Sequence, residues 1–143
     1  MYFQDLYDNS VIAKKAPNGC LIEEGNYTFL VAGISKEGPV EIKKVGQCYR
    51  LVLLLYFRTQ KNEVIQIVER IPLNRMFENR LVEFFCSIGE IKPCDTTYYL
   101  DFSKIMGTMG RATVGVKTIK NRSGRDKTIN YVKSFIAEDE GDI

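Results

Sequence analysis

The run QCYRLVLLLYFR, residues 47–58, limits the possible folds of this chain more than any other part of its sequence. Alternate residues of a strand point to the same side of a sheet, so one side of this run is entirely apolar: Tyr49, Leu51, Leu53, Leu55 and Phe57. Burying such side chains contributes roughly 1.5–3 kcal/mol each. We therefore predict a central β-strand, with Arg50, Tyr56 and Arg58 on its other side.

The runs before and after it alternate in the same way. Residues 25–33, GNYTFLVAG, predict a first strand with both sides partly covered. Residues 64–72, VIQIVERIP, predict a third strand, which Pro72 ends. Residues 34–46 contain Gly38-Pro39 and Gly46, and they predict a long basic loop that carries Lys43 and Lys44.

One helix is predicted after the third strand. Asn74 is a suitable N-cap, and Gly89 stops the helix. Between them, apolar residues recur at helical spacing: Phe77, Leu81, Phe84 or Phe85, and Ile88. A single buried face requires that period, so we interpret the aromatic stripe as core rather than as a ligand site.

The last two predicted strands are residues 111–119 and 128–136. The order β-β-β-α-β-β is that of an OB-fold, a five-stranded Greek-key barrel with a helix between strands three and four. An open sheet with one packed helix would give the same order. We predict a mainly β domain over residues 24–137, an N-terminal arm over 1–23 and an acidic tail over 138–143.

The residue inventory excludes several classes of chemistry. The chain has no histidine, and its four cysteines form no C-x-x-C pair, so we expect no metal site and no Ser-His-Asp or Cys-His catalytic unit. Gly-rich phosphate loops are absent from the sequence. We therefore predict a protein that is not an enzyme and has no cofactor. The longest apolar run, residues 51–57, is too short for a membrane span, and we expect a cytoplasmic protein.

Charge is distributed unevenly along the chain. Six of the 18 acidic residues lie near the two ends, which leaves 12 against 20 bases between residues 11 and 137. The body of the protein therefore has a net charge of about +8, a field that attracts polyanions. A basic surface kept for solubility is the alternative.

Bases and aromatic residues share a side of the second and of the fifth predicted strand, and Arg111 and Lys117 share a side of the fourth. Cations that follow phosphates, together with aromatic faces on which bases stack, are what binding of single-stranded nucleic acid requires. Val114 and Val116 mark the core side of the fourth strand, and Gly115 on the other side would leave room for a base or backbone. The candidate DNA-binding residues are Lys43, Lys44, Arg50, Tyr56, Arg58, Arg111, Lys117, Lys120, Arg122, Arg125, Lys127, Tyr131 and Lys133.

Within that set, we assign Tyr56 and Tyr131 to stacking and the bases to phosphates. The segment 120–127 is predicted as a flexible basic clamp between the last two strands, with a solvated hairpin tip as the alternative. The alternative for Tyr56 is that its ring packs against an arm of the chain or a second subunit. A bulge in either strand would invert these assignments, because one inserted residue moves every later side chain to the other side.

Three segments together resemble a known family: IPLNRMFENRLVEFFCSIG, MGTMGRATVGVKT and NYVKSF. The chain resembles, over residues 25–137, small bacteriophage proteins long catalogued as a domain of unknown function and similar to OB-fold single-stranded-DNA-binding proteins. Family members have a turn of the form Gly-Lys-x-Gly, whereas this chain has Gly107-Thr108-Met109-Gly110. The resemblance implies a role in DNA replication or recombination in an infected bacterium.

We therefore expect a phage single-stranded-DNA-binding protein in the host cytoplasm. The acidic tail resembles segments that recruit replication or recombination proteins, and a disordered solubilising tail is the alternative. Unpaired strand edges favour a homodimer. The alternative functions are a protein-interaction or phage structural module with an OB-like barrel, and an RNA-binding protein.

Overall fold

The computed structural model describes residues 14–15, 21–59, 61–95 and 97–137. Its strands are β1 Lys14–Lys15, β2 Gly25–Ile42, β3 Gly46–Arg58, β4 Glu63–Pro72, β5 Met109–Lys120 and β6 Asp126–Ile136. Helix α1, Glu78–Ser87, continues a 3₁₀ turn over Arg75–Phe77, and a second 3₁₀ turn spans Phe102–Lys104. The five predicted strands are thus β2–β6, and the prediction of a mainly β protein with a helix between the third and fourth of them is confirmed. Most of the predicted arm and all of the acidic tail lie outside the described residues.

The described strands form one sheet in the order β1-β4-β3-β2-β5-β6. All neighbours are antiparallel except β1 and β4, which pair in parallel through Lys14 and Lys15. Among the described residues no ladder joins β4 to β6, so the sheet is not closed by backbone hydrogen bonds. The sequence predicts an OB-fold-like barrel, with an open sheet and one packed helix as the alternative, and the described strands form a sheet that is open at a seam between β4 and β6.

The apolar side of β3 forms the centre of the core, as predicted. Leu51, Leu53, Leu55 and Phe57 are buried, and β2 contributes Phe29 beside them. The Phe29 ring centroid lies 5.9 Å from that of Phe57, 6.2 Å from that of Phe84 in α1 and 5.7 Å from that of Phe135 in β6. Tyr49, predicted on the same side, is 44% exposed because it lies where β3 has left the core.

The helix forms as its sequence predicts. The Asn74 side chain accepts a hydrogen bond of 3.0 Å from the backbone N–H of Met76, and Gly89 ends the segment with a φ of +79°. Leu81, Phe84 and Phe85 are buried against the sheet. The aromatic stripe of α1 is core.

The segment predicted as a loop over residues 34–46 is instead mostly strand. β2 continues to Ile42 and pairs with β3 along its whole extension, with a bulge between Glu37 and Val40 that takes up Gly38 and Pro39. A bulge is where a strand tolerates a proline, because a ladder bond is already missing there. We call residues 34–50 the β2–β3 arm.

A second hairpin, residues 115–131, extends from the other end of the sheet, and we call it the β5–β6 arm. The predicted clamp loop is shorter than expected, since β5 runs to Lys120 and β6 begins at Asp126. The Asn121 side chain accepts hydrogen bonds of 3.0 Å from the backbone N–H groups of Ser123 and Arg125, which fixes a tight turn. The prediction of a flexible loop over 120–127 is therefore wrong in its extent.

A bulge in β6 changes which of its side chains point into the core. The register with β5 shifts between Thr113 and Val114, which leaves Lys133 as the extra residue on β6. Val132 and Phe135 are consequently both buried, whereas simple alternation placed Phe135 beside Tyr131 and Lys133. β5 keeps its predicted alternation at Ala112 and Val114, which lie in the core, whereas Val116, predicted with Val114, is half-buried and outside the core.

Side chains of α1 bridge the seam between β4 and β6. Arg80 Nη2 donates to Glu69 Oε2 of β4 at 2.5 Å and to the carbonyl oxygen of Val132 at 2.7 Å. Arg80 Nη1 donates to the carbonyl oxygen of Lys133 at 3.1 Å, and the Phe135 N–H donates to Glu83 Oε1 at 2.5 Å. Two helix side chains thus take the place of the ladder that the strands do not form.

Gly110 lies where β5 passes under the end of α1. A Cβ at this position would be 2.6 Å from Phe29 Cζ and 2.8 Å from the carbonyl oxygen of Ser87. We expect Gly110→Ala to lower the free energy of unfolding by about 1–3 kcal/mol through overpacking. Urea unfolding followed by circular dichroism measures this, with the exposed Ser35→Ala as control. Equal midpoints for the two variants would contradict the close approach.

Candidate nucleic-acid interface

The β5–β6 arm is the most basic part of the described surface. Its bases are all exposed: Lys117, Lys120, Arg122, Arg125 and Lys127. None of them takes part in an ion pair within the described part of the chain, and the one acid among residues 115–131 is Asp126. Lys133, at the bulge, is also exposed. This charge is available to an external polyanion.

One side of β5 connects the arm to the outer side of β3. Arg111 and Lys117 share the side of β5 that faces away from Ala112 and Val114. Arg111 pairs with Thr28 of β2, and the pairing of Phe29 with Phe57 places Arg58 on the other flank of Thr28. The structure thus brings Arg58, Arg111 and Lys117 onto one face, which we call the outer stripe.

Tyr56 lies next to Arg58 on that face. It pairs with Leu30 of β2 and with Gln66 of β4, and Gln66 Nε2 donates a hydrogen bond of 3.3 Å to its hydroxyl oxygen. The residue is half-buried. The hydrogen bond thus links the Tyr56 hydroxyl to β4 on this face.

A groove of about 710 Å³ follows the seam beside the outer stripe. Val68 of β4, 45% exposed, lies on one wall, and Lys117 and Tyr131 lie on the other. Lys127 and Gln66 add polar groups, and the Glu69–Arg80 ion pair borders the groove. The volume lies within the roughly 300–1,000 Å³ of typical ligand sites.

The space above Gly115 is filled. A Cβ there would lie 2.8 Å from Tyr131 Cε1 and 2.9 Å from Lys133 Cδ, so the Tyr131 side chain packs directly over the glycine. The prediction that Gly115 leaves room for a base is wrong, because its neighbours on β6 occupy that room. Tyr131 is half-buried, with Lys117 Nζ 4.5 Å from its ring centroid.

Three other candidates lie apart from this surface. β2 and β5 pair only between residues 25–30 and 109–114, so the β2–β3 arm and the β5–β6 arm leave the sheet at opposite ends. Lys43 and Lys44 are exposed at the turn of the β2–β3 arm. Arg50 forms an ion pair with Glu37, which also contacts Arg70 at 3.3 Å. Arg50 is therefore already partly neutralised.

Some surface residues were missed at the level of sequence. Val68 and Gln66 line the groove, and the alternation of β4 indicated only that they would point outward. Lys36 and Tyr49 form a cation–π pair on the β2–β3 arm, with Nζ 4.4 Å from the ring centroid. Tyr99, after α1, is 84% exposed. No spacing in the sequence distinguishes such residues from core aromatics.

Glu69 has an unusual environment for a carboxyl group. Burial raises its pKa above the ordinary value, although the Arg80 guanidinium opposes that shift. The folded state then holds the Glu69 proton to higher pH than the unfolded state, whose carboxyl titrates near about 4.3. Below about pH 4.3 the Glu69 carboxyl is protonated in both states, and the bound proton contributes its full stabilisation to the folded state. That stabilisation is lost as the pH rises through the pKa of the folded state.

We therefore expect the free energy of unfolding of the wild type, minus that of Glu69→Gln, to fall as pH rises from about 4.3. Urea titrations of both proteins at a series of pH values measure this difference. A difference that rises with pH would mean that the carboxylate, and not the protonated acid, is preferred in the folded state.

The described residues contain no group of three or more side chains suited to hold a metal ion. None of their helices has the length and apolar character needed to cross a bilayer. No protein-family model matches the sequence, and a search of curated proteins finds no significant match.

Proposed function

We propose that this protein binds single-stranded DNA without catalysing a reaction. The observation that carries the proposal is the set of exposed bases on the β5–β6 arm, which have no ion-pair partner in the described part of the chain and lie beside Tyr131 and the groove. A surface suited to solubility intersperses charges of both signs, whereas residues 115–131 carry five bases and one acid.

The arrangement suits an unpaired strand better than a duplex. Phosphates would follow the bases of the outer stripe and the arm, and nucleobases would stack on Tyr131 and Tyr56 at about 1–3 kcal/mol each. Stacking needs bases that have left their duplex partners. Binding would therefore tolerate most sequences and would fall steeply with salt.

The fold that we propose is an OB-fold opened at one seam. Without β1, the sheet order is β4-β3-β2-β5-β6, with α1 inserted between β4 and β5 and packed across the gap between β4 and β6. OB-folds are partly open barrels that bind oligonucleotides across their second and third strands and two long loops. In this chain the two strands correspond to β3 and β4 and one of the loops to the β5–β6 arm, whereas the β2–β3 arm leaves the sheet at the opposite end and lies apart from the candidate surface.

The resemblance to phage proteins sets the proposed context. A phage protein of this kind would protect or present single strands during replication or recombination in the host cytoplasm. We propose a homodimer on the ground of the unpaired strand edges, and recruitment of a replication or recombination protein by the acidic tail, residues 138–143, which lies outside the described residues.

Fluorescence anisotropy with a labelled oligo-dT tests the proposal. We expect saturable binding at micromolar protein in low salt, with log affinity falling by roughly 0.7 per phosphate contact for each tenfold rise in salt. Absence of binding in low salt would refute the function. Competition with an oligo-U strand of equal length separates DNA from RNA, since only RNA offers the 2′-hydroxyl.

A further inference from the structure

Lys117 and Tyr131 form a contact pair at the groove. Lys117 Nζ lies over the Tyr131 ring, 4.5 Å from its centroid. The same ring packs over Gly115, close enough that a Cβ at that position would lie 2.8 Å from Tyr131 Cε1. The lysine thus occupies a ring face on which a base would have to stack.

The groove offers separate contacts for bases and for phosphates. Burial raises the pKa of the Glu69 carboxyl at the groove, and the positive charges of Arg80 and Lys117 oppose that rise. Because Glu69 pairs with Arg80, the net charge of the groove comes from Lys117 and Lys127, which suit the backbone. Gln66 and Val68 on the β4 wall offer an amide and an apolar contact to a base.

We propose that Lys117 is a removable cap on Tyr131. When a strand binds, a phosphate oxygen takes the ammonium group from the ring, and a base then stacks on Tyr131 inside the groove. The exchange is favourable because a charge-assisted hydrogen bond to phosphate is stronger than an exposed cation–π contact. This inference rests on the proposed function. It makes stacking conditional on backbone contact, so the groove selects a polynucleotide over a free nucleobase.

The test compares two strands of about 16 nucleotides, the upper end of the site size of one OB fold. One is oligo-dT, and the other is an abasic strand with the same phosphates. The measured quantity is the ratio of the two affinities, which reports the contribution of the bases. The ratio is determined for the full-length wild type, Tyr131→Leu, Tyr131→Phe and Lys117→Gln.

We expect Tyr131→Leu to lower the ratio roughly 5- to 100-fold, by removing one stacking contact, and Tyr131→Phe to preserve it. Lys117→Gln should lower affinity for the abasic strand roughly fivefold at ~0.1 M salt, because one phosphate contact is lost. It should raise the ratio, because the lysine no longer covers the ring. The two variants thus move the same ratio in opposite directions.

Lys36 and Tyr49 supply the matched control, because they form the same contact at 4.4 Å on the arm at the other end of the sheet. Tyr49→Leu should leave the ratio unchanged. In the free wild type, the ε-methylene protons of Lys117 should show an upfield NMR shift from the ring, and oligo-dT should remove it.

Three results would overturn the inference: a ratio unchanged in Lys117→Gln, a ratio unchanged in Tyr131→Leu, or an equal fall in Tyr49→Leu. Any of them, with oligo-dT still bound by the wild type, leaves the proposed function standing. Loss of binding to both strands in the wild type would refute the function and the cap together.

Discussion

Replacing Arg80 with methionine is expected to lower the free energy of unfolding by about 3–5 kcal/mol. The change removes the partner of Glu69, a largely buried carboxylate, and leaves the carbonyl oxygens of Val132 and Lys133 without their donor. Because a domain is typically stable by only about 5–15 kcal/mol, this single change should remove a large part of the total.

Urea unfolding followed by circular dichroism measures the effect. Arg80→Lys is the first control, since it keeps the charge but loses the planar fork that reaches Glu69 and both carbonyls at once. The second control is the double variant that combines Arg80→Met with Glu69→Gln. We expect it to recover part of the lost free energy of unfolding, because no carboxylate remains unpaired. An unchanged midpoint in Arg80→Met would show that the seam does not need its bridge.

Removing the charges at the tip of the β5–β6 arm should have the largest effect on binding. The variant combines Lys120→Gln, Arg122→Gln, Arg125→Gln and Lys127→Gln. It loses four exposed bases, and its core is unchanged. If each contacts one phosphate, the salt slope should fall by roughly 2.8, and affinity at ~0.1 M salt should fall roughly 10²–10³-fold. Anisotropy with oligo-dT over a range of salt concentrations gives both quantities.

A second quadruple variant tests whether position or net charge matters. Lys61, Arg75, Lys92 and Lys104 are exposed bases outside the arm and the outer stripe, and their replacement by glutamine removes the same charge. We expect this variant to bind within a few-fold of the wild type. Equal losses in the two variants would mean that the strand responds to overall charge and that the arm is not the interface.

The strands and the helix were predictable because each obeys one local rule. The apolar alternation of β3 and β4 decides which side is buried. Asn74 caps the 3₁₀ turn that leads into α1, and Gly89 follows the end of α1, so both limits depend on neighbouring residues alone. Tyr49 departs from the pattern because alternation fixes a side of the strand and says nothing about where the core ends.

The bulges and the seam were not predictable from local patterns. Lys133 became an extra residue because of its register with β5, and nothing in NYVKSF marks it. Arg80 looks like an ordinary polar position on a helix, yet its partners lie 11 and 52 residues away in the sequence. Contacts over such separations depend on the assembled fold.

The residues that carry the resemblance have structural roles in this protein. Asn130 forms hydrogen bonds of 3.0 Å with both the N–H and the carbonyl group of Ile22. Val132 and Phe135 are core residues, and Gly110 lets β5 pass the end of α1. These residues serve the fold of this protein, so a binding role must come from the bases around them.

The candidate interface was predictable only as a set of residue types. Alternation correctly placed Arg111 and Lys117 on one side of β5. It did not show that Glu37 neutralises Arg50 from the neighbouring strand, or that Tyr131 covers Gly115. Each of these depends on which residue of one strand faces which residue of the next.

Pro39 bears on how copies of the chain can associate. Beyond Val31, whose N–H and carbonyl group bond to Thr108 and Gly107, β2 has β3 on one side and, among the described residues, no strand on the other. Such an edge is a template for uncontrolled sheet growth between molecules. A proline offers no N–H to an incoming strand, and the bulge beside it bends the row of acceptors out of line. Pro39, which made this segment look like a loop, therefore makes this edge of β2 a poorer template for pairing between copies of the chain.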